Sequence, residues 1–228
     1  MKAMILAAGR GERMRPLTDA IPKPLLQAGG KPLILWIINQ LRQAGVTALV
    51  INISHLAGQI EQALGDGARD GVNIRYSHEQ EALETAGGIA WALPLLDDQP
   101  FLVINSDVYS EYDFAALAAR AQNLSPSQPA HLVLVDNPAH HLQGDFGLRD
   151  GKLTAHGAKL TFSGIGAYHP SLFAGIARGA KARLAAQLAT PIAEGRVTGE
   201  HFTGQWHDIG TPQRLAELDA RLRNASHG

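Results

Sequence analysis

Apolar residues along this chain fall into short blocks of two alternating kinds. Lys2 to Ala7 is an almost unbroken apolar run, as a strand buried on both faces requires. Residues 33–44 (LILWIINQLRQA) instead repeat their apolar positions at helical spacing until Gly45 stops them. The alternation continues with ALVINIS (48–54) as a strand, GQIEQALG (58–65) as a helix and NIRYSHE (73–79) as a strand. A helix from about Gly88 to Leu96 and a strand over FLVIN (101–105) complete the regular part. Strands separated by helices in short connections predict crossover units, hence a mainly parallel sheet covered on both faces.

Beyond Asp107 the pattern loosens. A helix is predicted around Phe114 to Asn123, a turn over SPSQP (125–129) and a strand over HLVLVD (131–136). Asp150-Gly151 marks a turn between short alternating runs, which predicts antiparallel strands added to the sheet or lying across its end. Helices are expected at Pro170–Ala177, Ala180–Ala189 and Pro212–Leu222. The expected class is therefore α/β, with three layers in the order α/β/α around a mainly parallel mixed sheet. There is no internal repeat or low-complexity linker, and 228 residues suit one domain.

Composition narrows the function classes. Hydrophobic residues make up 45% and charged residues 18%, enough apolar surface for a sizeable core and too little charge for disorder. The net charge is -1, from 20 Lys plus Arg against 21 Asp plus Glu, so no overall field favours nucleic acid or an anionic membrane. Any anion must be met locally. With no cysteine there are no disulfides, thiolate metal ligands or cysteine nucleophiles. The apolar run Ala3–Ala8 is too short for a signal-peptide core, and no stretch approaches the roughly 18 apolar residues of a membrane span. A cytoplasmic chain, mature from Met1 and without an obligate protein partner, is the expectation.

Local positive charge is concentrated in GRGERMRPLTDAIPKP (9–24), directly after the first strand. In an open parallel sheet, ligands gather beyond the carboxyl ends of the strands, so this loop is a candidate site on topology alone. Gly9 and Gly11 let the backbone come close to a ligand and present N–H groups to phosphate oxygens, and Arg13 can add a bidentate clamp. The dinucleotide pattern would need glycine where Met14 stands, and the P-loop ending Gly-Lys-Ser/Thr is absent. Lys23 lies between Pro22 and Pro24, and a residue before proline is steered toward an extended conformation, which would fix the direction of its side chain. The ten histidines show no metal-ligand spacing and are assigned to surface or core roles; no G-x-S-x-G elbow supports serine hydrolysis.

The complete string LAAGRGERMRPLTDAIPKPLL (6–26) resembles the signature of the sugar-1-phosphate nucleotidyltransferases, matching at the glycines, Arg13, Thr18, Pro22, Lys23 and Pro24. The resemblance runs on to WHDIGTP (206–212) and implies a Rossmann-like, GT-A-like nucleotidyltransferase fold. It implies a nucleotide-binding part over about residues 1–110 and a sugar-binding part over about 111–228. Ala8, Gly9, Gly11, Glu12 and Arg13 would then meet the triphosphate, with Arg13 and Lys23 as the catalytic cations. SHEQEALETAGGIAWAL (77–93) resembles the family's nucleobase segment, with Gln80 as base reader and Thr85 in the turn that follows. Gln80 can donate and accept at once, as a pyrimidine edge requires.

The family's magnesium ligands map onto Asp107, just after FLVIN, and Asp208, before Gly210-Thr211-Pro212. Hard carboxylates suit Mg2+, although each aspartate alone would also serve as a turn or cap residue. Asn105 is expected near the ribose or sugar, with Gly147 and Gln205 in the sugar pocket. The implied reaction joins UTP to a sugar 1-phosphate. The resemblance implies N-acetylmuramate 1-phosphate as the acceptor; the Glu-Lys-Pro usual in the family before the sugar-contacting strand is replaced here by LTFSGIGAYHP (160–170), which leaves room for its 3-O-lactyl ether. Its carboxylate wants a cation, and the sequence does not choose among Arg149, Lys159 and Arg196. Hexose-1-phosphate guanylyl or thymidylyl transfer, and a catalytically silent nucleotide-sugar sensor, are the alternatives.

Overall fold

The computed structural model describes residues 1–225. In chain order its first half comprises β1 (Lys2–Leu6), α1 (Leu17–Ala20), β2 (Gln27–Ala28), β3 (Lys31–Pro32), α2 (Leu33–Gln43), β4 (Ala48–Ile53), α3 (Ala57–Leu64), β5 (Asn73–His78), α4 (Glu84–Leu96), β6 (Phe101–Asn105) and β7 (Val108–Ser110). Its second half comprises α5 (Phe114–Ala121), β8 (Ala130–Val135), β9 (Phe146–Arg149), β10 (Lys152–Thr154), β11 (Lys159–Tyr168), α6 (Leu184–Ala193), β12 (Val197–His201), β13 (Trp206–Asp208) and α7 (Pro212–Ala225).

The main sheet has nine strands in the order β5-β4-β1-β6-β11-β8-β12-β10-β9. Its first four strands are parallel, joined through α2, α3 and α4 as the alternating blocks predict. Beyond β6 the sheet turns mostly antiparallel: β11 runs against both β6 and β8, and the hairpin β9–β10 turns at Asp150-Gly151. Among the described residues only β8 and β12 pair parallel in that half. The start of β11 pairs with β9 as well, so β11, β8, β12, β10 and β9 form a closed ring of pairings.

Alternate residues of the central strands feed two cores. Ala3 and Ile5 of β1 face one side with Ile34, Ile37, Ile38 and Leu41 of α2 and Phe114 and Leu117 of α5. Met4 faces the other, with Ile89 of α4 and Leu188 of α6. That period-two division of a fully buried strand is what makes three layers. Each large aliphatic side chain so buried contributes about 1.5–3 kcal/mol.

A third cluster joins Met14 and Leu26 to Leu218 and Leu222 of α7. There α7 lies on the β2–β3 turn, where Asp219 Oδ1 accepts the Gly29 N–H at 2.8 Å. A Cβ on Gly29 would come within 2.7 Å of Leu222 Cβ, so α7 and the turn are in close contact.

Three local expectations change. Pro170–Ala177 is not a helix; Pro170–Leu172 forms one tight turn, and bonds from Phe173 N to Pro170 O and from Ile176 N to Phe173 O span three residues each. The helix expected from Ala180 begins at Leu184, because Ala180–Arg183 runs past the start of α4, where Ala182 O accepts the Ala86 and Gly87 N–H groups. The same contact lets α4 begin at Glu84, ahead of the predicted start, by satisfying amides of its first turn.

Candidate active site

The parallel strands end at one edge of the sheet, and a cleft of about 560 Å³ opens there. It is lined by the whole segment Leu6–Met14 after β1, Asn52 at the end of β4, Glu79 after β5 and Asn105–Asp107 at the end of β6. Ala8, Gly9, Gly11, Glu12, Arg13, Lys23, Thr85, Asn105 and Asp107 from the sequence reading all border this space.

The basic loop is shaped by packing as well as by glycine. Gly11 takes φ +63, and a Cβ on it would meet Thr18 Cγ2 at 3.0 Å and Lys23 Cβ at 3.2 Å. Thr18, 2% exposed, donates its hydroxyl to Gly11 O at 2.8 Å, so this threonine folds the loop back on itself. Lys23 is not extended as its place before proline suggests. It opens a single 3-10 turn, Lys23–Leu25, held by Leu25 N to Pro22 O at 2.9 Å and Leu26 N to Lys23 O at 3.1 Å. Pro24 fits because an early turn position has no bonding role for its missing N–H, and the extended residue is Pro22. Arg15 pairs with Asp19 on the exposed side of the loop.

The two aspartates, distant in sequence, meet through a small ribbon. β13 pairs antiparallel with β7, placing Asp208 opposite Val108, and the Ile209 N–H donates to Asp107 O at 2.8 Å. Both carboxylates line a second cleft of about 300 Å³, together with Arg13, Asn105, His140, Thr161 and Trp206. Arg13, Asn105 and Asp107 belong to both clefts, so the two spaces are joined there. Lys23 Nζ donates to Asp107 Oδ2, with the lysine side chain only 11% exposed. Asp208 Oδ2 accepts from Arg214 Nη1 at 2.6 Å, and His140 Nε2 lies 3.1 Å from its other oxygen.

Arg214 and His140 were missed by the sequence reading, and no local spacing could have found them, since His140 stands 68 residues before Asp208. Arg214 does follow the predicted cap: Thr211 Oγ1 accepts its N–H at 3.3 Å at the start of α7. Two hard oxygen donors beside space for a phosphate match what Mg2+ takes from proteins, one or two carboxylates with the remaining positions supplied by substrate and water. No group of three or more His, Cys, Asp or Glu side chains suited to a metal occurs among the described residues.

One wall of the main cleft carries a buried polar chain. Asn52 Oδ1 accepts the Ala7 N–H at 2.8 Å, and Asn52 Nδ2 donates to Glu79 Oε1 at 2.6 Å. Glu79 Oε2 accepts the Leu83 N–H at 2.9 Å. Burial pushes the Glu79 carboxyl above the usual range, while its bonds to Asn52 and Leu83 oppose that. Gln80, the expected base reader, is exposed and does not line the cleft; Glu79, Ala82, Glu84 and Thr85 do. Glu84 has φ +61, uncommon for a residue with a Cβ, and is paired with Arg183 at 3.2 Å.

Of the expected sugar-pocket residues only Asn105 borders the second cleft. Gly147 sits in β9 outside this cleft, where a Cβ would meet His156 O at 2.4 Å, so the strand packs closely there. Gln205 gives its backbone oxygen to the Glu111 N–H and lies beside the cleft residue Trp206 without lining the space. The cleft wall is instead Thr161–Gly164, where the register of β11 shifts between Phe162 and Gly166. Gly164 takes φ +78 with a would-be Cβ 2.6 Å from Asn105 Nδ2. Trp206 Nε1 donates to Ser163 O at 2.9 Å and pins this bulge. Arg149, Lys159 and Arg196 border neither cleft; Arg149 pairs with Asp150 and Arg196 with Glu194.

Comparison with known proteins gives a consistent picture. The family model described as nucleotidyl transferase matches residues 2–149. An N-acetylmuramate alpha-1-phosphate uridylyltransferase of Neisseria meningitidis is 55% identical over 225 residues, covering 96% of this chain and 97% of its own. A mannose-1-phosphate guanyltransferase of Schizosaccharomyces pombe is 47% identical over 122 residues, 52% of this chain but only 34% of that protein. In fold, the chain superposes with a TM-score of 0.86 and 23% identity on a Bacillus anthracis protein assigned as a glucose-1-phosphate thymidylyltransferase and solved with a sucrose, covering 98% and 96% of the two chains. With the family model spanning more than half of the chain and a relative matched from end to end, the chain belongs to the nucleotidyl transferase family and is an enzyme of that class.

Proposed function

We propose that the chain transfers UMP from UTP to a sugar 1-phosphate, N-acetylmuramate alpha-1-phosphate, giving UDP-N-acetylmuramate and pyrophosphate in the recycling of cell-wall sugar. The observation that carries this reading is the end-to-end match to the Neisseria uridylyltransferase, joined to a cleft that gathers glycine backbone, Arg13, Lys23 and Asp107 at the carboxyl edge of the sheet. An oxygen of the acceptor phosphate attacks the α-phosphorus of UTP, the α–β bridging bond breaks, and its electron pair leaves with pyrophosphate. No covalent enzyme intermediate is needed; catalysis rests on alignment and on charge stabilisation.

In this reading the loop Ala8–Arg13 cradles the triphosphate and Arg13 steadies the departing pyrophosphate. Lys23, already aimed across the cleft at Asp107, lies where the α-phosphate and the acceptor phosphate converge. Asp107 and Asp208 would hold Mg2+, which supplies positive charge to phosphate oxygens when bound. Base reading is assigned to the wall of Glu79, Ala82, Glu84 and Thr85 rather than to Gln80. The sugar faces Asn105 and Thr161–Gly164; residues up to about 110 are assigned mainly to the nucleotide and those beyond mainly to the sugar.

The setting is cytoplasmic, without an obligate protein, membrane or nucleic-acid partner. Among the described residues no helix is long and apolar enough to cross a membrane.

Pyrophosphate release with each nucleoside triphosphate crossed against a panel of sugar 1-phosphates tests the assignment. UTP with N-acetylmuramate 1-phosphate is expected to dominate. Preference for GTP or dTTP with a hexose 1-phosphate would replace it with guanylyl or thymidylyl transfer, a reading favoured by the Schizosaccharomyces match over 52% of the chain. No release with any pair would leave a nucleotide-sugar sensor.

A further inference from the structure

Gly210 is a glycine whose backbone is not in the left-handed region, so its lack of a Cβ needs another reason. That reason lies above it. A Cβ there would stand 2.2 Å from Arg214 Nη2, 3.1 Å from Arg214 Cζ and 3.4 Å from Arg13 Cζ. Two guanidinium groups, one from the amino-terminal loop and one from α7, therefore lie side by side over a buried residue that lines the main cleft.

Their charges are unevenly balanced. Arg214 uses Nη1 for Asp208 and His140, while its Nε and Nη2 make no hydrogen bond among the described residues. Arg13 makes neither an ion pair nor a hydrogen bond among them. Asp208 is thus the one carboxylate bonded to this pair of cations, and it is bonded to Arg214 alone. Adjacent like charges repel, and a shared anion removes that cost while satisfying both forks.

We propose that Arg13 and Arg214 jointly hold one phosphate group of the reactants, so that α7 contributes a second anion-binding arginine to a site otherwise built from the amino-terminal loop. The inference rests on the nucleotidyl-transfer reading for the identity of the anion. A phosphate fits better than a carboxylate because three oxygens can bridge two forks, and because Arg214 already has a carboxylate partner in Asp208. The phosphate comes either from the triphosphate tail or from the acceptor, and binding measurements separate these.

Calorimetric titration of the full chain with pyrophosphate, UTP and sugar 1-phosphate, each alone, is the test. Arg13→Met and Arg214→Met are each expected to weaken the ligand carrying the shared phosphate at least tenfold. The double variant should lose clearly less than the product of the two, because one anion serves both residues. Weakening of pyrophosphate and UTP places the phosphate in the triphosphate; weakening of the sugar 1-phosphate alone places it in the acceptor. Unchanged binding of all three by Arg214→Met, or independent multiplicative losses, overturns the proposal. Arg214→Lys retains a charge for Asp208 but not the fork; it should show an intermediate loss and decides the matter if the methionine variant does not fold. Wild-type chain that releases no pyrophosphate with any substrate pair, yet shows the coupled losses, would sink the reaction reading and leave this one standing.

Discussion

Lys23 and Asp107, separated by 84 positions in the sequence, form an ion pair across the mouth of the sheet, and each is the residue its own segment was expected to contribute to chemistry. In the proposed reaction this pair sets a cation and an anion beside the point where the α-phosphate is approached by another anion. Lys23→Ala is expected to lower pyrophosphate release by roughly a hundredfold or more, the scale of losing one charged transition-state contact. Leaving Asp107 without its partner should cost about 1–3 kcal/mol of stability. Paired rate assays and denaturant titrations check both, and near-normal turnover would remove Lys23 from the mechanism.

The wall containing Glu79 makes a second prediction. Glu79→Ala strips partners from the buried Asn52 amide and the Leu83 N–H, and is expected to cost about 2–3 kcal/mol of stability and to weaken UTP binding. Gln80→Ala, at an exposed position outside the cleft, should leave both unchanged within error. A Gln80 variant that loses discrimination among nucleoside triphosphates would return base reading to that side chain.

Gly164 offers a third. An alanine there meets Asn105 Nδ2 at 2.6 Å and adopts φ +78, so it is strained twice. Gly164→Ala is expected to raise KM for the sugar 1-phosphate more than KM for UTP and to lower stability by about 1–3 kcal/mol. Equal effects on the two KM values would count against a sugar-side position for this bulge.

Acid sensitivity should arise away from the site, at Glu200. His131, the Tyr112 hydroxyl and Arg120 hold its carboxyl down at about 2, against the opposing effect of burial. His131 Nε2 is 3.6 Å away, beyond hydrogen-bond range, so the Tyr112 bond and the 2.9 Å contact from Arg120 Nη2 carry the larger share. Because the folded value lies below the ordinary 4.5, the stabilisation is complete above pH 4.5 and is lost as the pH falls toward 2. Denaturant titrations of wild type and Glu200→Gln should differ at pH 6 and converge near pH 2; a difference that stays constant would refute this source of acid sensitivity.

What the sequence disclosed follows from how far apart the cooperating residues lie. The phosphate loop is contiguous, and the parallel half of the sheet follows from local periodicity, so both were legible. Gln80 was chosen one position away from the side chain that borders the cleft. Alternate residues at a strand end point to opposite sides, and Ser77 and Glu79 are buried where His78 and Gln80 are exposed. Arg214 and His140 depend on β13 folding back against β7 and on the loop after β8 reaching the same place, which no local pattern encodes. The start of α6 was displaced by a backbone contact with α4, again a tertiary effect.

The contact between α7 and the β2–β3 turn has a consequence for biosynthesis. The loop carrying Lys23 leaves the ribosome well before Asp219 and Leu222, which back the turn just after it. A nascent chain halted after β13 would already contain Lys23, Asp107 and Asp208 but not the helix against which that turn is seated. The turn that follows Lys23 is therefore seated only once α7 has been made, so the amino-terminal loop depends on a helix synthesised long after it.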